Sequence, residues 1–177
     1  NLFNHLDPLG TIMIIFTTIA GFGIVWGRPV PMDPRKMGNP RWDHFWAVAA
    51  GPISNLLQAA VYAILLRVLY GQSTIIQALM AEPHVPLLAQ VLLTGVLVNL
   101  GLCFFNLIPL GPLDGHWLVG SFLHDRARLS WYRWNAQVGG GLLLGLVLIG
   151  QLSPNLSVIG SIVRPFVTGT ARILLGF

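Results

Sequence analysis

Charge is what this sequence has least of. Only 9% of its 177 residues are Asp, Glu, Lys or Arg and 54% are hydrophobic, whereas a soluble domain carries about 25% charge. That balance excludes a soluble domain with a large core and reads as an integral membrane protein. Glutamate occurs once, at Glu82. The histidines His5, His44, His84, His116 and His124 include no pair at i, i+4. An HExxH helix, with two ligands on one face and a glutamate base between them, is therefore excluded from this chain. One cysteine, Cys103, excludes an internal disulfide and reads as a small packing residue. The net charge of +4 is too small to suggest nucleic-acid binding. The first residues, Asn1 to Asp7, have neither the basic nor the apolar region of a signal peptide.

Long charge-free runs are what is there instead. Pro8 to Gly27 runs for 20 residues, Phe45 to Leu66 for 22, and Val85 to Leu113 and Asn135 to Val163 for 29 each. About 20 apolar residues suffice for a spanning helix. The third run predicts a helix ending near Leu107, and the fourth a break around Ser153-Pro154-Asn155. Leu156 to Phe177, interrupted by Arg164-Pro165, reads as either a kinked last span or an interfacial helix. The expected fold class is all-α: one polytopic transmembrane helical bundle over residues 1–177, with a short extended segment. Residues 28–44 carry Arg28, Arg35, Lys36 and Arg41, and residues 114–134 carry Arg126, Arg128 and Arg133, whereas residues 71–84 carry no Lys or Arg. The excess of basic residues predicts that loops 28–44 and 114–134 are cytoplasmic. Trp42, Trp46, Trp117, Trp131 and Trp134 flank the same loops, as an aromatic belt would.

Chemistry is expected where these runs are broken. Asn106-Leu107-Ile108-Pro109-Leu110-Gly111-Pro112-Leu113-Asp114-Gly115 ends a 29-residue charge-free run with a carboxylate. An ionisable group at membrane depth is costly and points to a functional site. Asp-Gly also suits a plain turn where a helix leaves the bilayer. Asp114 is a candidate metal ligand, and a carboxylate needs two or three partners to hold zinc. Asn106 is a candidate oxyanion donor, or a helix cap. Gly51-Pro52-Ile53-Ser54-Asn55 frees carbonyls inside a span. Its Asn55 is a candidate contact to a partner helix, or part of a locally repaired kink. His116 reads as a surface or interface histidine, although it is two residues from Asp114. Trp26 to Pro34 contains Pro29, Val30 and Pro31, and its alternating prolines impose extended backbone. It is a linker or an edge for an extended peptide. Gly139-Gly140-Gly141 predicts close helix packing.

Four motifs stand in order along the chain: the helix entry Asn4-His5-Leu6-Asp7-Pro8-Leu9-Gly10-Thr11, then Gly27 to Pro34, Ala50 to Asn55, and Asn106 to Gly115. Over residues 1–125 the chain resembles the site-2 proteases, M50-type intramembrane zinc metalloproteases, in a compact form without a PDZ domain. The resemblance implies that Asp114 is the zinc-binding aspartate of the LDG motif and that Asn106 helps to stabilise the oxyanion. It also implies that Pro29, Val30 and Pro31 lie in a membrane-dipping segment that holds substrate, with Asn55 in a further family motif. In the family, one zinc ion is held by this aspartate and by two histidines of an upstream HExxH helix, whose glutamate activates water. The absence of HExxH here leads to the expectation that the chain is the C-terminal part of a longer protein. With one of three ligands and no base, it should neither bind zinc tightly nor cleave by itself.

The resemblance implies an enzyme of a bacterial or archaeal cell membrane that cuts transmembrane segments of other proteins within the lipid bilayer. A non-catalytic helix-binding homologue and a transporter or channel fragment are the alternatives.

Overall fold

A computed structural model describes residues 38–153 and 156–177. The expected first span, Pro8 to Gly27, and the extended segment with Pro29, Val30 and Pro31 lie outside the described residues. Among the described residues, regular structure is entirely helical. The elements are α1 (Pro40–Leu69), α2 (Gln72–Leu79), α3 (Leu87–Asn106), α4 (Asp114–Phe122), α5 (Asp125–Trp134), a π-helical turn (Asn135–Gly139), α6 (Gly140–Leu152) and α7 (Val158–Leu175).

Local sequence explains the helix ends. At α1, the Asn39 side chain accepts from the Trp42 N–H, Pro40 opens the first turn and Asp43 accepts from the Asn39 N–H at 3.0 Å. α3 is apolar along its length and ends at Asn106, where Pro109 and Pro112 prevent continuation. α7 starts at Ser157, whose hydroxyl accepts from the Gly160 N–H at 3.1 Å, and ends at Gly176 with φ 83°. Only glycine takes that left-handed cap without strain.

α1 and α3 form an antiparallel pair with a core of Ala59, Ala63 and Leu66 against Ala89, Leu92, Leu93, Val96 and Leu100. Small residues let the backbones approach, as expected of helices in lipid. At Gly95 an added Cβ would lie 2.8 Å from the Tyr62 ring. α7 joins this core through Ala171 and Leu175. Arg67 donates to the Leu174 carbonyl at 3.3 Å, and Gln72 donates to the Gly176 carbonyl at 3.4 Å. The C-terminal ends of α1 and α7 therefore meet, so α7 runs parallel to α1. The opposite end of α7 packs Ile159 and Val163 against a second cluster, Ile108, Leu113 and Leu143, just beyond α3.

Among the described residues, four helices are long and apolar enough to cross a membrane: Pro40–Leu69, Leu87–Asn106, the continuous Asp125–Leu152, and Val158–Leu175. The protein is an integral membrane protein. Two expectations are corrected. Residues 114–134, read as a loop, are mostly α4 and α5, and residues 71–84 include α2. Charge marks where an apolar span ends, but not where helical backbone ends. Arg128 lies one turn from Asp125 and pairs with it at 2.8 Å, which suits a polar helix. The last segment, left open between two readings, has the length and composition of a span, with Pro165 inside it.

Candidate functional site

The breaks in the charge-free runs converge. Asp114 opens α4, and its Oδ2 lies against Gly51, 63 positions earlier on α1: a Cβ added to Gly51 would be 3.1 Å from that oxygen. The glycine of the Gly-Pro motif thus makes room for the carboxylate. Asn55 lies one turn further along α1, and i, i+4 residues share a helical face. Asn106 ends α3 immediately before the Leu107–Leu113 loop. Gly115 joins the end of that helix to the start of α4, because any Cβ there would overlap the carbonyl oxygens of Leu107 and Ile108. Gly115 is thus buried at this junction, and the glycine is required by contact.

Asp114 is partly buried. Burial raises its carboxyl above the ordinary carboxylate range, while neighbouring His116 opposes that shift. Among the described residues no donor lies within hydrogen-bond distance of its carboxylate. A nearby cation offsets the cost of burying a carboxylate, so Asp114 fits one anionic ligand of a metal. It does not supply the others: no group of three His, Cys, Asp or Glu side chains gathers among the described residues.

His116 departs from expectation. It is buried at 6% exposure, and its Nδ1 pairs with the Leu113 carbonyl. Burial lowers its pKa, partly offset by that bond and by Asp114. A helical turn after Leu113 folds the imidazole back under the loop, so its surroundings are set by packing. Its ring lies 4.6 Å from Trp117, which in turn is 5.2 Å from His44 and 4.7 Å from Tyr132. Trp131 donates its indole N–H to the His116 carbonyl at 2.8 Å. The tryptophans at this end therefore join α1, α4 and α5 as well as flanking charged segments. Arg41 completes the junction by donating to the carbonyls of Ser121 and, at 3.0 Å, Leu123 at the C-terminal end of α4.

Sequence reasoning missed Asn135. It is 2% exposed and sits in the π-helical turn, where its Oδ1 accepts from the Gly111 N–H at 2.7 Å and its Nδ2 donates to the Trp131 carbonyl at 3.1 Å. Gly139 serves the same contact. A Cβ there would lie 2.9 Å from the Gly111 nitrogen, so this glycine accommodates a turn instead of the helix expected from the Gly139-Gly140-Gly141 run. The sequence signal was faint: a polar residue at the head of an apolar run, four positions before a glycine.

Over 119 residues the chain is 37% identical to the Bacillus subtilis (strain 168) protein named "Putative zinc metalloprotease YwhC". The matched region is 67% of this chain and 50% of that protein, so the chain spans about half the length of the curated relative it matches. No family model matches the chain, and no solved structure matches it.

Proposed function

We propose that this chain is part of an intramembrane zinc endopeptidase of the site-2 type, which cleaves transmembrane segments of other membrane proteins. The observation that carries the reading is the seating of the Asp114 carboxylate against Gly51. It joins two motifs that are far apart in sequence and that the site-2 resemblance had already linked. Similarity to a protein named as a zinc metalloprotease supports the same class of chemistry. Asp114 would hold the metal together with ligands from outside the described residues. A zinc ion, when bound, supplies Lewis acidity toward the peptide carbonyl and lowers the pKa of water. Asn106, at the end of α3, would donate to developing negative charge on the substrate carbonyl. Asn55 would contact an unwound substrate segment; a substrate-holding role for Pro29, Val30 and Pro31 rests on the resemblance alone. Opening the substrate is necessary because the amides of a transmembrane helix are otherwise paired and shielded.

The test is Asp114→Asn in the full-length protein, reconstituted in lipid vesicles with a transmembrane substrate. The variant should lose bound zinc, measured by elemental analysis, and lose cleavage by at least about 100-fold, because one of three protein ligands is replaced by a neutral one. Cleavage at the wild-type rate would refute the reading. A wild-type protein that captures the substrate helix without cutting it would establish a non-catalytic helix binder instead.

A further inference from the structure

We propose that Asn135 is a positioning residue for Asp114, holding the loop that presents the carboxylate. The proposal rests on the metalloprotease reading above and extends it to a residue outside its motifs. The segment between α3 and α4 is anchored at two points. Leu113 is anchored by apolar contact with Ile108 and Leu143. Gly111 is anchored by polar contact, with its N–H donating to Asn135 Oδ1 at 2.7 Å. Only Pro112 and Leu113 separate Asp114 from the residue that makes that hydrogen bond. Asn135 is itself fixed, because its Nδ2 donates to Trp131 O at 3.1 Å across the wide turn. A Cβ at Gly111 would lie 3.2 Å from the Asn135 carbonyl, and one at Gly139 would lie 2.9 Å from the Gly111 nitrogen. Both faces of the contact are thus closed to larger residues. Trp131, in the turn before, also bonds the His116 carbonyl, so one stretch of helix grips both the loop and the first turn of α4. A π-helical turn inside an α-helix often marks a functional site. Here it places a buried amide against a backbone N–H that would otherwise be unsatisfied.

The experiment uses the full-length protein in detergent, with cobalt(II) as the metal probe. The readouts are its visible absorption spectrum, its affinity and the hydrogen exchange of peptides covering residues 107–116. Asn135→Leu keeps the branched side-chain skeleton and removes the acceptor. It should weaken cobalt binding about tenfold, as loss of an outer-shell support does, shift the spectrum and speed exchange at Gly111. Asn135→Asp retains an oxygen for the Gly111 N–H and should bind cobalt more tightly than Asn135→Leu. Leu143→Ala loosens the apolar anchor only and should lower the melting temperature without the spectral shift. The proposal is overturned if Asn135→Leu binds cobalt as the wild type does, or if Leu143→Ala reproduces its full effect. Failure of the underlying reading looks different: Asp114→Asn would then retain cobalt, or the wild type would bind none.

Discussion

Replacing Gly115 with alanine adds one methyl group at the tightest backbone contact beside the carboxylate. The added Cβ would overlap both the Leu107 and Ile108 carbonyl oxygens, and neither is the end of a flexible side chain. Relief requires α4 to move away from the end of α3 by on the order of 1 Å, toward ordinary van der Waals separation near 3.5 Å. Overpacking of this kind costs about 1–3 kcal/mol. The gain in helix propensity from glycine to alanine returns at most about 1 kcal/mol. Net destabilisation of about 1–2 kcal/mol should therefore appear as a lower thermal midpoint in detergent. The effect on function should be larger than that on stability, because a displacement of about 1 Å can cost 100-fold in rate. Gly101→Ala is the internal control: nothing lies within 4 Å of its added Cβ, so it should be neutral or slightly stabilising. The assay is thermal unfolding of both variants, followed by cleavage and zinc content in the full-length protein. If Gly115→Ala melts and works like Gly101→Ala, the close junction between Asn106 and Asp114 is wrong.

Two further outcomes follow from the same end of the molecule. Arg41→Met removes the two donors that hold the Ser121 and Leu123 carbonyls; at a partly buried site this should cost about 1–2 kcal/mol and speed exchange at the C-terminal end of α4, measured by mass spectrometry. Gly176→Ala forces a Cβ into a φ of 83° beside the Arg67 guanidinium; it should cost about 1 kcal/mol and fray the last turn of α7, read from exchange of residues 172–177.

Among the described residues, what the sequence determined by itself was where the apolar spans between Phe45 and Leu152 lie and the places where they break. A charge-free run long enough to cross the hydrocarbon is a local property, and its cost or gain in lipid barely depends on its neighbours. The end of α3 at Asn106 and the break between α6 and α7 were therefore legible, as was Asp114 as the exceptional carboxylate. The helical character of residues 114–134 was less legible, because charge ends an apolar run without ending a helix.

Only tertiary structure decided which breaks meet. Gly51 makes room for Asp114 because α1 and α3 pack antiparallel through Ala59, Ala63 and their partners, and no spacing along the chain encodes that pairing. The burial of His116, the grip of Asn135 on Gly111 and the parallel course of α7 and α1 likewise depend on contacts between residues more than 20 positions apart, or on side chains enclosed by other helices. In lipid an apolar face does not select its partner by hydrophobicity. Close fit at small residues and a few buried hydrogen bonds make that choice, and these contacts form only once the helices are together.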